Sequence, residues 1–181
     1  MNNNDLLLRL RYALDIKDAD IVKAFELGGL DISREEEKAM LTKVRDHEFE
    51  ENEGFEKNVY VKMINNKTLD SFLNGFITLK RGEPKNKMAQ APQPKSTEIR
   101  HMNNVLLKKV KIALALTSDD ILDILAEAGV YPSKGELGAI LRKEGHRNFK
   151  PCGDKYARNF LKGLALCYRE YLNKIIKTCL S

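Results

Sequence analysis

Cations are the residues of this 181-residue chain with the clearest capacity for chemistry, and they are concentrated in its last part. Residues 101–181 contain 14 Lys and Arg against 8 Asp and Glu, whereas residues 1–81 contain 13 against 16. Clustered cations attract phosphate and carboxylate groups. We therefore predict that RNA or an acidic partner protein binds to a basic face formed by eight cations: Arg142, Lys143, Arg147, Lys150, Lys155, Arg158, Lys162 and Arg169.

Half of the basic face follows one side of a predicted helix. At about 100° per residue, its last four members, Lys155 to Arg169, fall within roughly 60° of one another. Apolar residues of the same helix, such as Phe160 and Leu164, lie elsewhere around it. Two other interpretations stay open. One is an ordinary solvated surface, since the pI is near 9.0. The other is attraction between the acidic and basic halves, within one chain or in a homo-oligomer.

Residues that usually carry catalysis or bind metals are sparse. His146 and Cys152 could meet at a metal ion, but no Cys-x-x-Cys or His-x-x-x-His spacing accompanies them. The chain has no glycine loop for phosphates and no nucleophile elbow. We predict no catalytic residue, no metal and no cofactor. The alternative is an enzyme whose unrecognised site lies between the two halves of the chain.

A segment of the second half weakly resembles a helix-turn-helix. Residues 119–129 form a predicted helix that ends in glycine, and Ser133 opens the next helix. The intervening loop is longer than the usual turn of three or four residues. The matching helix of the first half begins with Glu35, Glu36 and Glu37, which would repel a phosphate backbone. Plain hairpin packing is favoured, and DNA binding by this hairpin is an alternative function.

The sequence contains two similar copies of the segment that is expected to form the helices positioning these residues. Matched residues are 100 positions apart from Asn3 and Asn103 onward, and 88 apart where Phe72-Leu-Asn-Gly75 matches Phe160-Leu-Lys-Gly163. Such a match through caps and glycines indicates a duplicated unit. We predict a first repeat over residues 1–81 with an extra segment at about 50–66, a linker over 82–101 containing Pro84, Pro92 and Pro94, and a second repeat over 102–181.

Each repeat is predicted to form about four helices, which makes the fold all-α. Leu6, Leu7 and Leu10 recur at the spacing of one helical face. Ser33-Arg-Glu-Glu36 and Ser133-Lys-Gly-Glu136 are capping boxes that start a later helix in each repeat. Because an 80-residue unit buries only a small core, we expect the repeats to pack together with pseudo-symmetry.

Several matched residues receive a specific interpretation. Asn3-Asn4 and Asn103-Asn104 are predicted to cap the first helix of each repeat, with the second Asn satisfying another backbone group. Ligand binding by the amides is the alternative. Phe49 and Phe149 are predicted core anchors rather than stacking platforms. The segment Asn58–Ile64 alternates like a strand and predicts a short hairpin arm or another helical turn.

The composition favours a cytoplasmic protein. No apolar run approaches the roughly 18 residues of a membrane-spanning helix. The first residues lack the basic and apolar regions of a secretory signal. The odd number of cysteines argues against a disulfide framework.

Together these motifs resemble the YehS-like bacterial family, a domain of unknown function (1456) in two tandem copies. The resemblance rests on the run from Asn3 to Leu14, on Leu27-Gly-Gly29 with the capping Ser33, and on Phe72-Leu-Asn-Gly-Phe-Ile77. In the second repeat it rests on residues 142–146 and 158–164. It implies a helical, twice-repeated bacterial protein and brings no catalytic residue. We therefore expect a non-enzymatic interaction module.

Overall fold

The structure, a computed structural model, describes residues 1–44, 58–83 and 99–179, with side chains described up to residue 169. Within these ranges the chain forms eight α-helices, and one isolated antiparallel β-bridge joins Lys43 to Tyr60. The all-α prediction is confirmed. The helices are α1 (Asn3–Leu14), α2 (Asp18–Leu27), α3 (Arg34–Leu41), α4 (Asn66–Arg81), α5 (Met102–Ala113), α6 (Ser118–Glu127), α7 (Lys134–Leu141) and α8 (Asp154–Cys179).

Local signals set the ends of corresponding helices in both repeats. Ser33 accepts a hydrogen bond from the backbone N–H of Glu36 at 3.2 Å, and Ser133 accepts the same bond from Glu136 at 3.2 Å. Both predicted capping boxes are present. Each box satisfies two backbone donors that a helix start leaves unpaired.

Each fourth helix packs on both repeats. The helix α4 packs on α2 of its own repeat and on α5 of the other repeat. In the same way, α8 packs on α6 of its own repeat and on α1 of the other. The repeats are therefore related by approximate two-fold symmetry, as the duplication predicts, and they share one core. Leu6 and Leu106 are both fully buried in that core.

Glycine allows each fourth helix to approach its own repeat closely. A Cβ atom on Gly75 of α4 would lie 1.6 Å from the backbone oxygen of Ala24. A Cβ atom on the matched Gly163 of α8 would lie 1.8 Å from the backbone oxygen of Ile124. No side chain fits at these distances, so the helix crossings require glycine.

The doubled asparagines do not cap the first helices, so that part of the prediction is wrong. The second Asn of each pair does satisfy other backbone groups, as predicted. The N-cap of α1 is Asn2, and the N-cap of α5 is His101. Asn4 lies inside α1 and is fully buried. Its amide donates hydrogen bonds to the backbone oxygens of Met40 and Lys62, each at 2.8 Å. Its carbonyl accepts a bond from the Ile64 N–H at 3.0 Å.

Asn104 makes the same three bonds in the second repeat. Its amide donates to the oxygens of Ile140 at 2.8 Å and Lys150 at 2.9 Å, and its carbonyl accepts from the Cys152 N–H at 2.8 Å. Both asparagines thus join the first helix to the end of the third helix and to the segment before the fourth. Each satisfies backbone groups that no helix or sheet pairs.

These bonds show that the 88-residue offset already applies at Lys62, which corresponds to Lys150. Upstream of it, Tyr60 belongs to residues that only the first repeat has. Its hydroxyl is buried and donates to Asp5 Oδ1 at 2.8 Å. Burial, and then this bond, raise the pKa of Tyr60. Within the segment Asn58–Ile64, Tyr60 forms one antiparallel bridge to Lys43, and the segment does not form a helical turn.

Phe149 is not a core anchor, and this prediction is wrong for it. Its side chain is half-buried in the loop before α8, where its ring lies 5.1 Å from that of His101. The loop holds it by local backbone bonds, among them one of 2.8 Å from its N–H to His146 O. Phe49, the matched residue, lies outside the described residues.

Candidate anion-binding surface

The helix α8 positions one half of the basic face. Phe160, Leu161 and Leu164 are buried on its inner side, which leaves Lys155, Arg158 and Lys162 exposed to solvent. This division follows from the helical period of the sequence. None of the three cations forms an ion pair with a residue in the described ranges. Their charges are therefore available to an external anion.

Arg169 has a different role from the other α8 cations. Its Nε donates to the backbone oxygen of Tyr12 at 2.8 Å, and its guanidinium lies 3.6 Å from the centre of the Tyr12 ring. Such stacking is a cation–π interaction between α8 and α1. The side chain is half-buried by this contact. Arg169 thus joins the repeats as well as contributing positive charge.

The other half of the basic face lies on exposed residues around the loop between α7 and α8. Lys150 pairs with Glu136 Oε1 at 3.3 Å, and Arg142 Nη1 lies 3.5 Å from Nδ1 of His146. Lys143 and Arg147 are exposed, and the described part of the chain offers them no carboxylate partner. Lys150 is thus partly neutralised, whereas these two are not.

A groove of about 720 Å³ runs between α1 and α8. Volumes of a few hundred to a thousand Å³ are typical of small-molecule sites. Its walls are mainly apolar, and three cations stand among them. The lining residues are Leu8, Arg9, Tyr12, Leu161, Lys162, Ala165, Leu166 and Arg169.

Sequence reasoning missed Arg9, the cation that the first repeat adds to this groove. It treated the basic face as a property of the second repeat alone. Arg9 is exposed, and it forms no ion pair with any residue whose side chain is described. The signal that could have found it is the repeat itself, because Arg9 corresponds to Lys109, and the equivalent packing of the two fourth helices places both at contacts between repeats.

At the other inter-repeat contact, between α4 and α5, the corresponding cation is neutralised. The Lys109 ammonium donates to the Asp70 carboxylate and, at 2.6 Å, to Asn74 Oδ1. The side chains of Lys109 and Asp70 are only about one-fifth exposed, at 20% and 19%. This ion pair joins an anion of the acidic first repeat to a cation of the basic second repeat. A second inter-repeat pair, between the N-terminal ammonium of Met1 and Asp154 at 2.6 Å, has the opposite polarity.

Groups that could act in catalysis or metal binding lie apart from the groove. Burial, and then Asp154, raise the pKa of Cys152 to about 12, which keeps its thiol protonated and unreactive. His146 is exposed in the loop before α8. Nowhere in the described ranges do three His, Cys, Asp or Glu residues come close enough to bind a metal ion.

The most unusual carboxyl group is that of Glu37 in α3. It is 1% exposed, and neither of its oxygens has a hydrogen-bond partner among the described residues. Burial, and then the charge of Asp18, raise its pKa. Loops of six residues join α3 and α7 to the helices before them, which is longer than the turn of a helix-turn-helix. This observation disfavours the helix-turn-helix alternative.

The chain is similar to other proteins along nearly its whole length. A family model described as "Protein of unknown function (DUF1456)" matches residues 3–82 and again residues 103–170. An uncharacterized protein, YehS of Escherichia coli (strain K12), is 38% identical over 174 residues, which cover 96% of this chain and 99% of the relative. No solved structure matches the chain. Across the described residues, no helix has the length and apolar character needed to cross a membrane.

Proposed function

We propose that this chain, which belongs to the DUF1456 family, is a non-enzymatic interaction module of the bacterial cytoplasm that binds an acidic partner protein. The basic face of the second repeat is the contact surface in this proposal. Its members on α8 contact carboxylates of the partner, and Lys143 and Arg147 extend the surface beyond the helix.

The observation that carries this proposal is the alignment of three exposed cations without ion pairs along one helix. Lys17 and Lys23 of the first repeat pair with Asp15 at 2.6 Å and Glu26 at 3.0 Å. The α8 cations Lys155, Arg158 and Lys162 lie along one helix without such partners in the described ranges. Neighbouring like charges on a helix destabilise it slightly. An acidic partner removes that repulsion and gains attraction.

An acidic protein is favoured over RNA because exposed stacking surfaces are scarce near these cations among the side chains that the structure describes. Proteins that bind single-stranded RNA place exposed aromatic rings among the basic residues. The one exposed aromatic ring that lines the groove beside Lys162 is Tyr12, and the guanidinium of Arg169 covers one face of it. Charge without stacking fits carboxylates better than bases.

The proposal is tested with two labelled probes of equal charge, a poly-glutamate peptide and a single-stranded RNA oligonucleotide. Fluorescence anisotropy at low salt measures the affinity of the full chain for each. We expect the peptide to bind at least as tightly as the RNA, and both affinities to fall as salt rises. Tighter binding of the RNA supports the RNA alternative, and absence of binding by the peptide overturns the proposal.

A matched pair of variants locates the contact. The double variant Lys155→Glu with Arg158→Glu should weaken peptide binding by about tenfold or more, because two attractive charges become repulsive. The control, Lys17→Glu with Lys23→Glu, changes net charge equally on the first repeat. Equal loss in both variants would mean that only net charge matters. Thermal melting checks that both variants are folded.

A further inference from the structure

The approximate two-fold symmetry makes the two inter-repeat contacts directly comparable. Arg169 of α8 donates to the backbone oxygen of Tyr12 in α1 at 2.8 Å. The matched Arg81 of α4 donates to the oxygen of Ile112 in α5, which corresponds to Tyr12, at 3.1 Å. The two pairs of helices therefore cross in the same way. A side chain in one contact shows where its counterpart lies in the other.

In the α4–α5 contact, the chain supplies the anion that a buried cation needs. Lys109 is bonded to Asp70 and to Asn74, one helical turn further along α4. A cation withdrawn from water requires such a partner. The contact is thus complete without any external group.

In the α1–α8 contact, the three corresponding positions all hold cations. Arg9 replaces Lys109, Arg158 replaces Asp70, and Lys162 replaces Asn74. No carboxylate of the described residues forms an ion pair with any of them, although the pKa of Asp154, one helical turn earlier in α8, is lowered by its hydrogen bond from the N-terminal ammonium and, to a smaller extent, by the charge of Arg158. Three positive charges at these positions repel one another. An anion in the place that the Asp70 carboxylate occupies in the other contact would reduce that repulsion.

The same comparison explains why the α1–α8 contact is open. Ala165 stands where α4 has Ile77, and the smaller side chain leaves space beside Leu8 and Leu161. Both residues are partly buried against the core, so the difference between the two contacts lies in side-chain size. The space that results is bordered by apolar side chains and lies next to Arg9 and Lys162. An apolar surface beside unpaired cations is complementary to a molecule with an anionic head and an apolar body.

We propose that the groove between α1 and α8 binds a small amphiphilic carboxylate, a molecule that consists of one carboxylate group and a hydrocarbon chain. The carboxylate pairs with Arg9 and Lys162, and the hydrocarbon covers Leu161, Ala165 and Leu166. This site shares Lys162 with the protein contact proposed above. It differs from that contact in using Arg9 of the first repeat and the apolar side chains of the groove.

Decanoate is a suitable probe, and isothermal titration calorimetry of the full chain below the micellar concentration measures its binding. We expect one saturable site per chain. Acetate, which lacks the hydrocarbon, and decyltrimethylammonium, which has the opposite charge, should each bind at least about tenfold more weakly. Equal binding of decyltrimethylammonium, or no saturable binding of decanoate, would overturn the proposal.

Two variants introduce residues of the closed α4–α5 contact at the matching positions of the open α1–α8 contact. Arg158→Asp with Lys162→Asn supplies the carboxylate and amide of α4, and should abolish decanoate binding while raising the melting temperature. Ala165→Ile fills the groove without changing any charge. It should abolish decanoate binding and leave poly-glutamate binding unchanged, so failure of this site is distinguishable from failure of the protein contact. Decanoate binding that survives Ala165→Ile places the ligand elsewhere and contradicts the proposal.

Two binding experiments distinguish a carboxylate presented by a membrane from one dissolved in water. Sedimentation with vesicles of phosphatidylglycerol containing oleate tests a ligand presented by a bilayer, and titration with free decanoate tests a dissolved one. Saturable uptake of free decanoate supports the proposal. Binding to the vesicles alone, undiminished by Ala165→Ile, contradicts it.

Discussion

The two repeats share the groups that hold their backbones together and differ in the groups that carry charge. Asn4 and Asn104 make the same three hydrogen bonds, and Gly75 and Gly163 permit the same close crossings. In contrast, buried Glu37 stands where the second repeat has Leu137. After duplication, the steric and backbone requirements of the fold apply to both copies. Charged side chains are free to diverge toward separate uses.

The largest expected effect comes from the shared glycines. Gly75→Ala or Gly163→Ala places a Cβ atom within 2 Å of a backbone oxygen, so the helices must separate. We expect a loss of about 3 kcal/mol in the free energy of unfolding for each variant, measured by urea denaturation. The control is Gly138→Ala in α7, where nothing lies within 4 Å and the helix should gain about 0.5–1 kcal/mol. A harmless Gly163→Ala would break the equivalence of the two crossings.

The next effect tests whether the asparagine bonds are equivalent. Asn4→Ala and Asn104→Ala each leave two backbone oxygens and one N–H without their partner in a buried place. Each should lower the free energy of unfolding by about 2–3 kcal/mol. The half-buried Asn3 provides a control, since Asn3→Ala should cost less. A loss of stability for Asn104→Ala but not for Asn4→Ala would show that Tyr60 and its neighbours compensate in the first repeat.

The smallest expected effect comes from the difference between Glu37 of α3 and Leu137 of α7. Glu37→Leu copies the residue of the second repeat and removes a buried carboxyl group without partners, so it should stabilise the chain by about 1–2 kcal/mol. Urea denaturation of both proteins at pH 7 measures the difference.

The titration of Glu37 gives the same prediction a pH dependence. Its pKa is raised above the ordinary 4.5, so the fold favours the neutral carboxyl. The stability contributed by the neutral form is fully present below about pH 4.5 and is lost as the pH rises through the raised value. The stability of the wild type relative to Glu37→Gln should therefore fall as the pH rises above 4.5. A difference that stays constant with pH would contradict the assignment.

Much of the candidate surface could be predicted from the sequence, because Lys155, Arg158 and Lys162 lie along one face of α8. The partners of a cation could not, since pairing depends on which helices meet. Lys150 and Arg169 belong to the same predicted face, yet one pairs with Glu136 and the other stacks on Tyr12. Arg9 was missed because it joins the surface only where α8 of the second repeat packs on α1 of the first.

The amino-acid sequence alone determined the helical class, the starts of the third helix of each repeat and the twofold repetition, because caps, glycines and apolar periodicity act over a few residues. Tertiary structure decided what the polar groups do. An asparagine at a helix start can cap the helix or lie inside it, and only the neighbouring loop showed that Asn4 and Asn104 are buried. The open groove likewise depends on two helices 150 residues apart in the chain, whose contact no local rule predicts.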